Sequence, residues 1–167
     1  MYYEWFYGRF PDIALRETRT LTVFDVPGLP PGEYGFTEAY CSKPGCDCRR
    51  VFFNVIQVET GRLVATIAYG WESVEYYAQW LGRDDPHVLR ELKGPALNRW
   101  SEQSELAPML LAQLPLLLSD PAYVARIERH YRMFKDAVNR EASLRKKPGS
   151  AKPPPAVRRK SKVGQPR

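Results

Sequence analysis

Short apolar runs separated by turn-forming residues predict β structure in the first half of the chain. The pattern predicts four strands, at residues 21–26, 34–40, 50–58 and 63–69. The third run is apolar on both faces apart from Asn54 and Gln57, which is typical of a central strand. Residues 59–62 have the composition of a hairpin turn. We therefore expect an antiparallel sheet of three or four strands.

After Trp71 the apolar positions recur at helical spacing. The pattern predicts a helix that ends at Gly82, a short one from Asp85-Pro86, one over 104–118 kinked at Pro115, and a last one from Asp120-Pro121 to about Arg140 or beyond. Residues 92–103 are predicted to form a loop. The fold class that follows is α+β, a small antiparallel sheet covered by C-terminal helices.

Charge divides the chain into two parts. The net charge is +6, yet nine Lys or Arg and no Asp or Glu lie in residues 145–167. Residues 1–144 carry 16 basic and 19 acidic side chains, a net charge of −3. The basic segment also holds five prolines and few apolar residues, a composition typical of disorder. We expect one α+β domain over 1–144 and a disordered basic tail over 145–167.

The sequence predicts neither a signal peptide nor a membrane span. The first ten residues are aromatic and lack a basic segment followed by an aliphatic one. The longest apolar stretch, 109–118, is interrupted by Gln113 and Pro115 and is far shorter than the ~20 residues of a spanning helix. Three cysteines within eight residues do not fit a disulfide framework, so we expect a reducing, cytoplasmic location.

The cysteines are the strongest candidate site. Cys41, Cys46 and Cys48 lie between two predicted strands, where a hairpin loop is expected. Residues two apart on an extended chain project to the same side, and the turn sequence Pro44-Gly45 can bring Cys41 back to the other two. Three close thiolates repel one another unless a cation neutralises them, and Zn²⁺ binds sulfur at ~2.3 Å. The spacing therefore predicts a zinc site.

A tetrahedral zinc site needs a fourth ligand, and the sequence offers several. His130 is the first candidate, because it falls within the apolar stripe of the last helix and an inward-facing histidine needs a polar partner. The alternative is a core histidine bonded to a backbone carbonyl. Asp47, Glu38 or a water molecule are further candidates. A water ligand would leave a position open for catalysis.

Two functional hypotheses follow from the cysteine loop. The first is a structural zinc site in a binding or adaptor module that has a protein partner and binds nucleic acid non-specifically through its basic tail. The alternative is a small metalloenzyme or thiol-redox enzyme that uses Cys41, Cys46 and Cys48. Three inert buried thiols and a merely solubilising tail are the simplest alternatives to both.

Several segments also resemble an uncharacterised bacterial family of small cysteine-cluster proteins with the pattern C-x4-C-x-C. The resemblance is carried by residues 40–51, 65–72, 92–98, 103–108 and 129–131. It covers about residues 34–138 and leaves the tail outside. The resemblance implies no particular activity.

Overall fold

The computed structural model describes residues 2–145, so the predicted disorder of the tail beyond Arg145 lies outside the described residues. The strands are β1 (Tyr3–Trp5), β2 (Arg19–Val23), β3 (Gly32–Cys41), β4 (Arg50–Gln57), β5 (Arg62–Gly70) and β6 (Ala96–Leu97). The helices are α1 (Pro11–Glu17), α2 (Val74–Leu81), α3 (Pro86–Lys93), α4 (Ala107–Leu118) and α5 (Pro121–Arg145), with a 3₁₀ turn at Phe6–Gly8.

The described strands form a single antiparallel sheet in the order β1-β3-β4-β5-β6. β2 also pairs with β3, so β1 and β2 share one edge of that strand. Along β3, the pairing with β2 extends as far as Phe36, and the pairing with β1 begins at Ala39. Thr37 and Glu38 of β3 therefore lie in a gap between β2 and β1. This gap becomes one wall of a cavity described below.

The core lies between one face of the sheet and helices α4 and α5. It is rich in large side chains that are almost completely buried, among them Tyr34, Phe36, Phe53, Leu110, Leu114, Tyr123, Ile127 and Phe134. β4 is central and its first six residues are all buried, as the doubly apolar run predicts. The predicted α+β class, an antiparallel sheet covered by C-terminal helices, is confirmed.

Several elements differ from the sequence prediction. Helix α1 was not predicted, β2 lies at Arg19–Val23 rather than at 21–26, and α4 begins at Ala107 rather than at 104. β1 and β6 have three and two residues, too few to produce a readable pattern. β6 lies in the predicted loop 92–103. α2 begins at Val74 rather than Trp71, because the Ser73 hydroxyl caps it by accepting a hydrogen bond from the Tyr76 amide at 3.2 Å.

Candidate metal centre

The three cysteines lie where β3 passes into β4. Cys41 is the last residue of β3, and Cys46 and Cys48 follow in the connection that ends before Arg50. The turn closes where the Cys46 amide donates to the Lys43 carbonyl at 3.2 Å. Gly45 within it has a φ of 71°, a left-handed conformation that glycine adopts without steric cost. The turn predicted from Pro44-Gly45 therefore folds the chain back as expected.

The sulfur atoms of Cys41, Cys46 and Cys48 all lie within 4.8 Å of one another. A tetrahedral zinc ion with bonds of ~2.3 Å places its sulfur ligands about 3.8 Å apart, so small side-chain movements would complete the geometry. Cys41 and Cys48 are buried and Cys46 is half-buried. The predicted clustering of the three thiols is confirmed, and the cluster is placed to bind a metal ion.

The thiols share protons unevenly when no metal is bound. A hydrogen bond from the Cys48 thiol, with help from the nearby charge of Lys135, lowers the pKa of Cys41 to about 5. The same bond, together with burial, raises the pKa of Cys48 far above its ordinary value. Burial and the Cys41 charge raise the pKa of Cys46. Near neutral pH the cluster therefore holds one thiolate and two thiols.

Helix α5 holds the loop in place through one face. The ammonium of Lys135, a buried side chain, donates to the carbonyl oxygens of Cys41 at 3.0 Å and Lys43 at 2.8 Å. One turn further on, the Asn139 side chain accepts a hydrogen bond from the Gly45 amide at 2.9 Å. These contacts place a positive charge beside the thiolates, and a charge there favours their ionised form.

The other side of the loop is held by Arg49. Its φ of 45° is left-handed, a strained conformation for a residue with a side chain. The guanidinium bonds to Asp47 and Glu72 at 2.9 Å each. The Tyr77 hydroxyl donates to the backbone carbonyl of Arg49 at 2.8 Å. The guanidinium also lowers the pKa of Asp47 below its usual value. These contacts fix the backbone directly after Cys48, whose side chain is buried.

The structure does not bring His130, the predicted fourth ligand, into the group of three cysteines. Its Nδ1 is 2.7 Å from Glu38 and its Nε2 is 3.0 Å from Glu17, so each ring nitrogen faces a carboxylate. The ring also stacks on Phe6, with centroids 4.4 Å apart. Both ring nitrogens are therefore engaged by carboxylates, and His130 does not belong to the group of three cysteines. The expectation that an inward-facing histidine needs a polar partner is correct, but the partners are carboxylates.

The other candidates for the fourth position are also engaged elsewhere. Glu38 bonds His130 and Tyr40, and Asp47 bonds Arg49. Within residues 2–145, no other His, Cys, Asp or Glu joins the three cysteines. The described chain therefore brings together three side chains that could hold a metal ion.

The sequence analysis missed three residues of α5 that form hydrogen bonds with the loop, Tyr131, Lys135 and Asn139. Their hydroxyl, ammonium and amide oxygen bond Arg49, Cys41 and Gly45, respectively. The available signal is their spacing of four residues, which puts them on one helix face. A lysine on that face reads as solvent-exposed by residue type, although its exposed fraction here is 6%.

Comparisons of the chain with models of protein families, with curated proteins and with solved structures found no match in any of the three. In the part of the chain that the structure describes, no helix combines the length and the apolar character needed to cross a membrane. The function is therefore inferred from the side chains of the site and their contacts.

Proposed function

We propose that the protein is a zinc-binding module in which Cys41, Cys46 and Cys48 hold one Zn²⁺ ion. The observation that supports this proposal is the approach of three sulfur atoms to within 4.8 Å of one another. Three soft sulfur ligands favour Zn²⁺ over the hard cations Mg²⁺ and Ca²⁺. The single thiolate at Cys41 gives an incoming cation its first ligand.

The main role of the ion in this proposal is structural. Zinc would connect Cys41 at the end of β3 to Cys46 and Cys48 in the loop. Because Lys135 and Asn139 of α5 bond the same region, the ion would cross-link a strand of the sheet and a turn that contacts α5. Such a module would present its surface to a protein partner, as an adaptor does. It would also work in the cytoplasm, where reducing conditions keep three thiols available.

Metal analysis of the purified protein tests the proposal. We expect about one zinc ion per chain after purification under reducing conditions without chelators. Removal of the ion by a chelator should lower the free energy of unfolding, and added Zn²⁺ should restore it. A folded chain that neither carries nor takes up zinc would exclude the proposed function.

The set of three ligands favours a second candidate, in which the fourth position holds an exchangeable water and the site is catalytic. Replacing zinc with Co²⁺ distinguishes the two roles, because its visible spectrum responds to the ligand set. A spectrum that shifts on titration with azide indicates an exchangeable position. A spectrum that azide leaves unchanged indicates a closed, structural site. If the metal is absent and an oxidant forms a disulfide among the same cysteines, the thiol-redox alternative gains support.

A further inference from the structure

A cavity of about 580 Å³ lies beside the gap in the sheet edge, away from the cysteines. Its walls include Trp5 at the end of β1, Thr20 on β2, and Thr37 and Glu38 in the gap between those strands. Helix α1 closes another side with Leu15. The interruption between β1 and β2 therefore creates a concave site in what would otherwise be a continuous sheet edge.

The walls of the cavity are mainly aromatic and aliphatic. Trp5, Tyr7, Leu15 and Val58 all line it, and all four are exposed large hydrophobic side chains. Exposed apolar surface gathered in one concavity is unfavourable in water, and its burial by a ligand is favourable. Three aromatic rings, those of Trp5, Phe6 and Tyr7, favour a flat, aromatic ligand.

Two charged or polar side chains that are almost completely buried also line this cavity. His130 is 1% exposed and Glu38 is 6% exposed. Glu38 Oε2 accepts from the Tyr40 hydroxyl at 2.6 Å and bonds His130 Nδ1 at 2.7 Å. Its second oxygen, Oε1, is shielded from solvent and has no hydrogen-bond partner among residues 2–145.

An unpartnered carboxylate oxygen away from water is costly, so a hydrogen-bond donor should be attracted to it. The other carboxylate oxygens that face His130 have partners, because Glu38 Oε2 bonds Nδ1 of His130 and Glu17 Oε2 lies beside Nε2 of His130 and pairs with Arg129. The missing element is therefore one donor to Oε1, and Glu38 is also one of the residues that line the cavity. A few fixed polar groups in an apolar pocket are the usual composition of a small-molecule site.

We propose that this cavity is a binding site for a small aromatic molecule that carries one hydroxyl or N–H donor, which bonds to Glu38. The site is independent of the proposed zinc function. The aromatic body lies against the apolar walls, and its donor satisfies Oε1. Tyr40 and His130 hold the carboxylate in position for that bond.

Two matched probes, 2-naphthol and 2-methoxynaphthalene, test the donor requirement by calorimetry or ligand-observed NMR on the full chain. They differ in one donor, and a hydrogen bond to a charged acceptor corresponds to a difference of about tenfold or more in Kd. We expect 2-naphthol to bind tighter by that factor, and the Glu38→Gln variant to remove most of the difference. The Glu17→Gln variant is the control, because Glu17 also bonds His130 but does not line the cavity. It should keep the difference in Kd between the two probes.

A second pair of variants tests the location of the site. Leu15 and Phe24 are 73% and 82% exposed, so neither substitution to serine should prevent folding, and Leu15 alone of the two lines the cavity. Leu15→Ser should weaken both probes, and Phe24→Ser should weaken neither. Equal binding of the two probes, insensitivity to Leu15→Ser, or no saturable binding up to about 1 mM would each overturn the proposal.

Discussion

Cys46 is the cysteine at which the metal hypothesis is tested with least disturbance of the fold. It is half-buried, whereas Cys41 and Cys48 are buried. Cys46→Ser replaces a thiolate ligand with a hydroxyl that zinc binds poorly. We expect the variant to lose the metal measured by elemental analysis while it keeps its far-UV circular dichroism spectrum.

Ser42→Ala is the matched control for that substitution. Ser42 lies in the same connection, directly after Cys41, and has no thiol. The control should keep the zinc content of the wild type. If Cys46→Ser also retains a full equivalent of zinc, Cys46 is not a ligand and the proposed site is wrong.

His130 should contribute to stability rather than to metal binding. Removing its ring leaves the buried carboxylate of Glu38 with Tyr40 as its remaining hydrogen-bond partner in residues 2–145. Loss of this buried hydrogen bond costs about 1 to 3 kcal/mol. We expect His130→Ala to lower the free energy of unfolding by that amount, measured with urea. Its zinc content should equal that of the wild type, and selective loss of zinc from a folded variant would contradict the geometry.

Zinc binding should release protons because two of the three thiols are protonated beforehand. The pKa of Cys41 is lowered to about 5, and the pKa values of Cys46 and Cys48 are raised. Near neutral pH, formation of three thiolates therefore releases about two protons per zinc, and the affinity falls as the pH falls. Calorimetry in two buffers with different ionisation enthalpies measures the number. A pH-independent affinity would exclude coordination by all three cysteines.

At the scale of whole elements, α5 determines how well the loop is organised for a metal. Lys135→Met removes the ammonium that bonds Cys41 and Lys43, and it also removes a positive charge that favours thiolates. Loss of such supporting contacts typically weakens metal binding about 10- to 100-fold. We expect a decrease of that size in a competition assay with a chromophoric chelator.

Arg132→Met provides the control for Lys135. Both substitutions remove one cation from α5, but Arg132 is exposed and its ion pair is with Glu128 of the same helix. Its zinc affinity should remain close to that of the wild type. Equal weakening by both variants would attribute the effect to net charge rather than to the contacts of Lys135.

The sequence pattern predicted elements whose own residues carry the signal. β3, β4 and β5 were found because their apolar runs match the period of a strand, and α5 because Asp120-Pro121 marks its start. β6 was missed, because its two residues are defined by pairing with Ile67 and Ala68 rather than by local pattern. The periodicity of a segment predicts elements of several residues, whereas the shortest strands are defined by pairing with distant residues.

The candidate site divides in the same way. The cysteine cluster was predictable because the three ligands lie within eight residues of one another. The partners of His130 were not, because Glu38 and Glu17 are 92 and 113 residues away along the chain. The burial of Lys135 depends on the carbonyl groups of Cys41 and Lys43, which a helix pattern does not contain.

At the scale of the whole molecule, the two proposed sites share the same pair of elements. β3 carries Glu38 and Cys41, and α5 carries His130 and Lys135. Lys135 of α5 bonds the cysteine loop, and His130 of the same helix bonds the Glu38 carboxylate beside the cavity. A shift of α5 relative to β3 would therefore alter both sites, whereas α3 packs elsewhere, against α2 and β5.

The basic tail gives a prediction about the full chain. Residues 145–167 carry nine cations and no acidic residue, whereas residues 1–144 have a net charge of −3. Nucleic-acid binding should therefore depend on the tail, and a chain truncated after Leu144 should lose it. Counterion release predicts a log–log salt slope of about −0.9 per phosphate neutralised on duplex DNA, with at most about nine such contacts.

Binding through this tail should show little sequence preference, because contacts of lysine and arginine with phosphates carry no sequence information. Fluorescence anisotropy with two duplexes of equal length and unrelated sequence measures both the affinity and the preference. A full-length variant with the tail lysines and arginines replaced by glutamine separates charge from chain length, and it should bind as weakly as the truncated chain. Undiminished binding by the truncated chain would assign the interaction to residues 1–144. Lys43, Arg49 and Arg50, in and beside the cysteine loop, would then be the first cations to test.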